Sequence, residues 1–369
     1  MPNLRQKRYL YRENARRRGG GIALPLLYDD FESGTVTPPT REANIGEWTV
    51  TDSNAHLSIA GGQLLIDAVR EAQGDPGIFS PLLERVAGRS LITNFQSDGG
   101  GYHAPVAWDN DGVNWTFALY QITIPSDPGY ITDVGIDLFV AAEDHQAVAM
   151  LLDTGCLFFW DGKLTWWDKT SSITPLLAGL TVRQTAGNAP SYYNATIQDL
   201  SVPSPLLDTA APVNDNVYDL GVADWFLDLG ITAPSTVAGA GFAGVRWRYG
   251  DANNYHFAGF EDDNFVAFSF EAGVRTEYDT TIDIEAIIAD DATLTLRIVC
   301  TGSRLTFFTN NVKRGGTGGN PSATDSFNVA ETVIAPHLSA NWLSGGGSMA
   351  DLVVWKRSGY SELPAPTTD

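Results

Sequence analysis

Gly101-Tyr102-His103-Ala104-Pro105-Val106-Ala107-Trp108-Asp109-Asn110-Asp111-Gly112-Val113-Asn114-Trp115-Thr116-Phe117 reads as a strand, a polar turn and a second strand. The chain repeats this pattern about 140 residues further on, where Gly241-Phe242 leads through Val245-Arg246-Trp247 to Asp251-Ala252-Asn253-Asn254-Tyr255-His256-Phe257. Asp111 and Asp251 occupy the turn, and Asn114-Trp115 answers Asn254-Tyr255 at the re-entry. One hairpin written twice implies one domain written twice.

The matches continue in the same order. Ile136-Asp137-Leu138 answers Ile282-Asp283-Ile284, each followed by an acidic turn, Glu143-Asp144 and Asp290-Asp291. Thr154-Gly155 with Phe158-Phe159 answers Thr301-Gly302 with Phe307-Phe308, and Asp199-Leu200-Ser201-Val202 answers Asp351-Leu352-Val353-Val354. The offset grows in one direction, from 140 to 152, as loop insertions would make it. The expectation is two domains of one topology, with both the repeated hairpin and the closing segments superposing.

Composition agrees with that division. A chain of 369 residues is long for one core, and two domains of roughly 150 to 180 residues are the natural expectation. A hydrophobic share of 43% fills both cores. The net charge of -21 excludes nucleic acid as a partner of the body, because phosphates need Lys and Arg to replace their counterions. Cys156 and Cys300 fall at related places, one per domain, and are expected to be buried strand residues without a disulfide. Pro203, Pro205 and Pro212 punctuate the join. The boundaries are read as 1–25 for an N-terminal arm, 26–205 for the first domain and 206–369 for the second.

The arm differs sharply from the rest. Arg5, Lys7, Arg8, Arg12, Arg16, Arg17 and Arg18 are seven of the 23 basic residues, opposed by Glu13 alone, and Gly19-Gly20-Gly21 separates them from the body of the chain. Without the arm's charges, 43 acidic residues face 16 basic ones in the body. Two readings stand: a solvated tail, or an anchor in which these cations, with Tyr9 and Tyr11, dock on another protein or a further copy of the chain. Ile22 to Leu27 is too short for a secretory h-region, and no run approaches the roughly 20 apolar residues of a membrane span. Folding in a cytoplasm without a signal peptide is expected.

From Leu26 onward the pattern is that of strands. Asp29-Asp30-Phe31-Glu32 is followed by Trp48-Thr49-Val50, then by Leu57-Ser58-Ile59-Ala60-Gly61-Gly62-Gln63-Leu64-Leu65-Ile66, which alternates across a Gly-Gly turn. At these residues the chain resembles the concanavalin A-like, or laminin G-like, jelly roll. The second copy resembles it from Gly241 to Lys313 and from Ala350 to Trp355, with Val217 to Leu229 standing where the opening hairpin should be. The expected fold is all-β: two tandem concanavalin A-like jelly-roll β-sandwiches preceded by the basic arm.

Chemistry-bearing motifs are few. The resemblance directs attention to Thr281-Ile282-Asp283-Ile284-Glu285, because retaining glycosidases on this jelly roll carry acidic residues at alternate positions of one strand. Thr281 stands where the nucleophilic carboxylate would be, and Gly135 to Phe139 keeps only Asp137, so glycan cleavage is not expected. His56, His103, His145, His256 and His337 lack metal-ligand spacing. Asp109 and Asp111, and Asp262 and Asp263, are the weak candidates for calcium, and no other cofactor is expected. Gly315 to Ser322 lacks the Lys and following helix of a phosphate loop.

The strongest binding candidate is aromatic. Phe158-Phe159-Trp160-Asp161-Gly162-Lys163-Leu164-Thr165-Trp166-Trp167 reads as a two-residue hairpin in which Trp160 faces Lys163, Phe159 faces Leu164 and Phe158 faces Thr165. That register puts Phe158, Trp160, Lys163, Thr165 and Trp167 on one mixed face, read as outward. A sugar platform, a protein interface and ordinary packing all remain open for it.

Together these features point to a non-enzymatic structural or attachment component of a bacteriophage-like virion, made in the host cytoplasm, anchored through its arm to other virion proteins or further copies, and able to meet a cell-surface glycan. The rival reading is an extracellular carbohydrate-binding or adhesion protein; a glycoside hydrolase-like enzyme comes third.

Overall fold

The computed structural model describes residues 25–32, 34–66, 77–96, 101–109, 116–122, 144–169, 177–184, 191–278, 288–301, 304–310, 312–313, 323–324 and 331–364. The N-terminal arm with Arg5, Lys7, Arg8, Tyr9, Tyr11, Arg12, Arg16, Arg17 and Arg18, the repeated Asp137 and Asp283 segments, and Thr281 and Glu285 lie outside the described residues.

The chain divides into two compact units. The first runs to Pro203 and takes up the stretch from Tyr360 onward; the second is Ser204–Gly359. The C-terminal stretch thus belongs to the first unit, where the Tyr360 ring meets Phe159 edge-on at 5.0 Å, whereas the sequence boundaries put it in the second.

The first unit contains β1 (Leu27–Asp29), β2 (Thr40–Glu42), β3 (Glu47–Thr51), β4 (Leu57–Ala60), β5 (Gln63–Ile66), β6 (Gly77–Phe79) and β7 (Arg89–Gln96). It continues with β8 (Gly101–Asp109), β9 (Thr116–Ile122), β10 (Asp144–Leu151), β11 (Cys156–Trp160), β12 (Lys163–Asp168), β13 (Leu177–Gln184) and β14 (Ser191–Asp199). One sheet is ordered β12-β11-β10-β7-β14-β5-β4, with β1 also on β14, and the other β2-β3-β6-β13-β8-β9.

The second unit contains β15 (Leu207–Thr209), β16 (Tyr218–Asp219), β17 (Trp225–Thr232), β18 (Phe242–Asp251), β19 (Asn254–Glu261), β20 (Asn264–Glu271) and β21 (Val274–Glu277). It continues with β22 (Thr293–Thr301), β23 (Arg304–Thr309), β24 (Val312–Lys313), β25 (Ala323–Thr324), β26 (Val333–Leu338), the short helix α1 (Ala340–Ser344) and β27 (Ser348–Lys356). Its sheets are ordered β15-β27-β17-β22-β23-β24, with β25 on β23, and β16-β26-β18-β19-β20-β21. The fold is all-β, a jelly-roll β-sandwich in each unit.

The two units share one strand order. The path β14-β7-β10-β11 in the first is answered by β27-β17-β22-β23 in the second, and β6-β13-β8-β9 by β16-β26-β18-β19. Within the repeated hairpin even the register agrees: Ala107 pairs with Phe117 as Arg246 pairs with Phe257. The closing strands also correspond, but not residue by residue. Asp199 is the last residue of β14, opposite Arg89, whereas Asp351 lies inside β27 with φ 49°. Nor are the two thiols equivalent: both are buried, but Cys156 opens β11 and Cys300 lies on β22, the counterpart of β10.

Local chemistry explains the opening cassette. Asp29 is buried and accepts from Arg41 Nε at 2.9 Å, Trp48 Nε1 at 3.1 Å and the Phe31 amide at 3.0 Å. One carboxylate therefore ties the Asp-Phe pair, the Trp strand and β2 together. Leu57 pairs with Ile66 and Ala60 with Gln63, and the turn between them has φ 61° at Gly61 and 81° at Gly62, the conformation a two-residue hairpin turn demands.

In the second unit β18 and β19 meet at facing glycines, Gly244 and Gly259. A Cβ at Gly259, where φ is +156°, would lie 2.1 Å from the Ala243 carbonyl oxygen, and one at Gly244 would lie 2.2 Å from that of Ala258. Gly259→Ala is expected to destabilise this unit by about 1–3 kcal/mol, the usual effect of overpacking. A urea titration would register it as a lower midpoint at unchanged slope.

Candidate functional site

The aromatic hairpin expected to carry a ligand forms, but with a different register. Trp160 pairs with Lys163 and Phe159 with Leu164; beyond them a bulge puts Trp166, not Thr165, opposite Phe158. Thr165 is the extra residue, and its hydroxyl donates to the Phe158 carbonyl at 2.9 Å. Phe158, Trp160 and Thr165 are buried, and Trp160 lies 5.2 Å from both Phe95 and His145. Of the five expected contact residues, only Lys163 is exposed; Trp167 is half-buried, with the Lys169 ammonium 4.6 Å from its ring. The reading of this face as outward is corrected. β11 is buried on both faces from Cys156 to Trp160, so Phe158 and Trp160 are interior whichever side they take, and the bulge in β12 turns Thr165 onto the Phe158 carbonyl.

The calcium candidates divide. Asp109 ends β8 and Asp111 lies outside the described residues. Asp262 Oδ1 accepts from the Gly241 amide at 2.7 Å, and Asp263 Oδ1 from Asn264 at 2.6 Å. Asp262 thus ties the turn between β19 and β20 to the residue before β18, and Asp263 bonds within that turn. Among the described residues no three His, Cys, Asp or Glu side chains gather as a metal site would require.

A different surface brings functional groups together: the outer face of the sheet β16-β26-β18-β19-β20-β21. Ala243, Val245, Trp247, Ala258, Phe260, Phe265 and Ala267 belong to the core. Since side chains alternate along a strand, the residues between them point away from it. These are Phe242 and Arg246 of β18, Tyr255 and Phe257 of β19, and Phe268 and Phe270 of β20. Cross-strand pairing places Arg246 beside Phe257, Phe257 beside Phe268, Tyr255 beside Phe270, and Phe270 beside Arg275 of β21.

The rings form a continuous ladder. Tyr255 stacks with Phe270 at 5.3 Å and Phe257 with Phe268 at 5.2 Å, while Phe242 meets Phe257 edge-on at 5.4 Å. Phe257 and Phe268 are buried in the ladder; Phe242, Tyr255 and Phe270 remain half-exposed. Two guanidinium groups lie over it, Arg275 at 4.1 Å from the Phe268 centroid and Arg246 at 5.1 Å from that of Tyr255, in cation–π geometry.

Each guanidinium is held at its edge by carboxylate. Arg275 Nη2 donates to Glu261 at 2.8 Å, and its Nε meets Glu277. Partial burial draws its pKa down, but the hydrogen bonds it donates to Glu261 and Glu277, with the charges of both, outweigh this and raise it. Arg246 Nη1 donates to Asp215 at 3.2 Å and Nη2 to His337 at 3.0 Å. Burial raises the pKa of the Tyr255 phenol, opposed by Arg246 and Arg275, so at neutral pH it keeps its proton and can both donate and accept.

Sequence reasoning names Tyr255 and Phe257 only as markers of the repeated hairpin, and His337 only as a histidine without metal-ligand spacing. The available signal is the aromatic alternation in Asn254 to Glu271. That run carries rings on both faces, so period two alone does not say which of them face solvent.

No protein-family model matches the chain, and no curated protein is similar to it in sequence. Several solved structures are similar in fold. The catalytic domain of an endo-1,3-β-glucanase (laminarinase) from Thermotoga petrophila RKU-1 is 10% identical with a TM-score of 0.31, over 48% of this chain and 98% of that one. A laminarinase from Flavobacterium sp. UMI-01 is 9% identical with a TM-score of 0.31, over 48% and 100%. Carbohydrate-binding module CBM66 from Bacillus subtilis is 17% identical with a TM-score of 0.23, over 42% and 92%. These neighbours are two glycanases and a carbohydrate-binding module, and what the chain shares with them is the fold. The expectation of a non-enzymatic virion component is corrected to that coarser statement.

Proposed function

We propose that this is a carbohydrate-recognition protein that takes its glycan on the outer face of the β16-β26-β18-β19-β20-β21 sheet. The observation that carries this reading is the half-exposed ring ladder of Phe242, Tyr255 and Phe270, interleaved with Arg246 and Arg275, themselves fixed by Asp215, Glu261 and Glu277. A pyranose has an apolar C–H face, which suits flat rings, and a rim of hydroxyls, which suits alternating acceptors and donors on the same surface. The core of a protein interface is by contrast depleted in Asp and Glu, and here Asp215, Glu261 and Glu277 hold the guanidiniums that lie over the rings.

The test is an immobilised panel of β-glucans, galactans, fructan and sialylated mucin-type glycans, probed with the full chain at neutral pH. Saturable retention on at least one glycan is expected, and retention on none overturns the reading. A reducing-end assay on the same incubations separates recognition accompanied by cleavage from recognition alone.

A further inference from the structure

His337 stands between the two groups that hold Arg246. Its Nδ1 lies 2.7 Å from Asp215 Oδ1, and its Nε2 lies 3.0 Å from Arg246 Nη2. A guanidinium can only donate, so Nε2 must accept; the proton then sits on Nδ1 and is donated to Asp215. The three side chains therefore fix the imidazole as one neutral tautomer. Asp215 is itself held in place: its amide donates to the Pro336 carbonyl at 2.8 Å, and the neighbouring Asn214 bonds both the amide and the carbonyl of Leu338.

We propose that neutral His337 is the positioning residue that keeps Arg246 over the Tyr255 ring, and that protonation of its Nε2 releases the guanidinium, making the aromatic face sensitive to pH. The reason is local. A proton on Nε2 turns the acceptor of the Arg246 hydrogen bond into a second donor and sets an imidazolium against a guanidinium. Asp215 Oδ1, which accepts from both side chains, is then the one acceptor they still share, and Arg246 Nη2 has lost its own.

The charged groups that bond His337 are Arg246 from β18 and Asp215 from the loop before β16, and the titratable Tyr255 of β19 lies beneath Arg246. Tyr218 and Asp219 of β16 pair with the other end of β26, opposite Ile334 and Val333. Burial, then Arg246, hold the imidazole below the usual 6.5 against the pull of Asp215. The switch therefore falls on the acid side of neutrality.

The consequence for ligand rests on the glycan reading of this face; the switch itself does not. The full chain, labelled with 15N-histidine and 15N-arginine, is followed by NMR between about pH 8 and pH 5. The expected result is an Nδ1–H tautomer for His337 near neutrality, with the Arg246 guanidinium signal moving as His337 takes up its proton. An Nε2–H tautomer, or an Arg246 signal indifferent to that titration, overturns the proposal.

In parallel, retention of laminarin, the soluble β-glucan used as probe, is expected to fall roughly 3- to 10-fold across the same transition, the loss of one hydrogen bond. His337→Gln, whose amide oxygen accepts from Arg246 without titrating, should flatten that profile, and His337→Ala should weaken retention at every pH. A profile equally steep in His337→Gln overturns the positioning role. If laminarin is not retained at any pH, the glycan consequence is overturned, and the NMR result decides the switch alone.

Discussion

Arg297→Met is expected to destabilise the second unit by about 3–5 kcal/mol, the range for breaking a buried ion pair from one side. Arg297 of β22 and Asp228 of β17 are direct cross-strand partners. Both are buried, 2% and 0% exposed, and the guanidinium spans both carboxylate oxygens at 2.6 and 2.8 Å. It also lies over the Phe226 ring at 4.8 Å. Methionine replaces the aliphatic stem but leaves the Asp228 carboxylate out of water without its cation.

The double variant Asp228→Leu with Arg297→Met removes both charges and should regain most of the lost stability, since a well-packed apolar pair often matches a buried ion pair. Denaturant titration of wild type, both single variants and the double variant forms a complete cycle. A single variant within about 1 kcal/mol of wild type would show that water reaches Asp228.

The second large effect concerns binding. Tyr255→Ala is expected to weaken glycan retention by roughly 30-fold, corresponding to the ~2 kcal/mol of a central contact residue. Tyr255 is the ring on which the face converges: Phe270 stacks against it, Phe268 lies 6.4 Å away and Arg246 covers it. Its half-exposure means that alanine removes contact surface while leaving the core cluster untouched. Isothermal titration with the best-retained glycan, alongside circular dichroism of the variant, checks both statements. Wild-type affinity in a folded Tyr255→Ala protein would move the binding site off this sheet.

Corrections to the sequence-based expectations share a physical origin. The Gly61-Gly62 and Asp161-Gly162 turns and the repeated hairpin are readable because a short turn fixes its own strand pairing within a few residues. The outward reading of Phe158 and Trp160 fails because β11 is covered on both faces, and that of Thr165 because of a bulge; nothing in Phe158 to Trp167 announces either. The virion reading rests on the absence of recognised catalytic motifs and on the arm, and neither feature bears on what the sheet faces can bind.

What the sequence determined by itself is the all-β class and the duplicated strand order, because these depend on period and turn chemistry. The candidate site was decided by tertiary structure. Asp215, Arg246 and His337 meet across 31, 91 and 122 residues of chain, and Phe242 to Arg275 become one surface only when four strands align. Alternation divides such strands into two faces, but where both faces carry aromatic rings, only the packing of the second sheet selects which of them remains for a ligand.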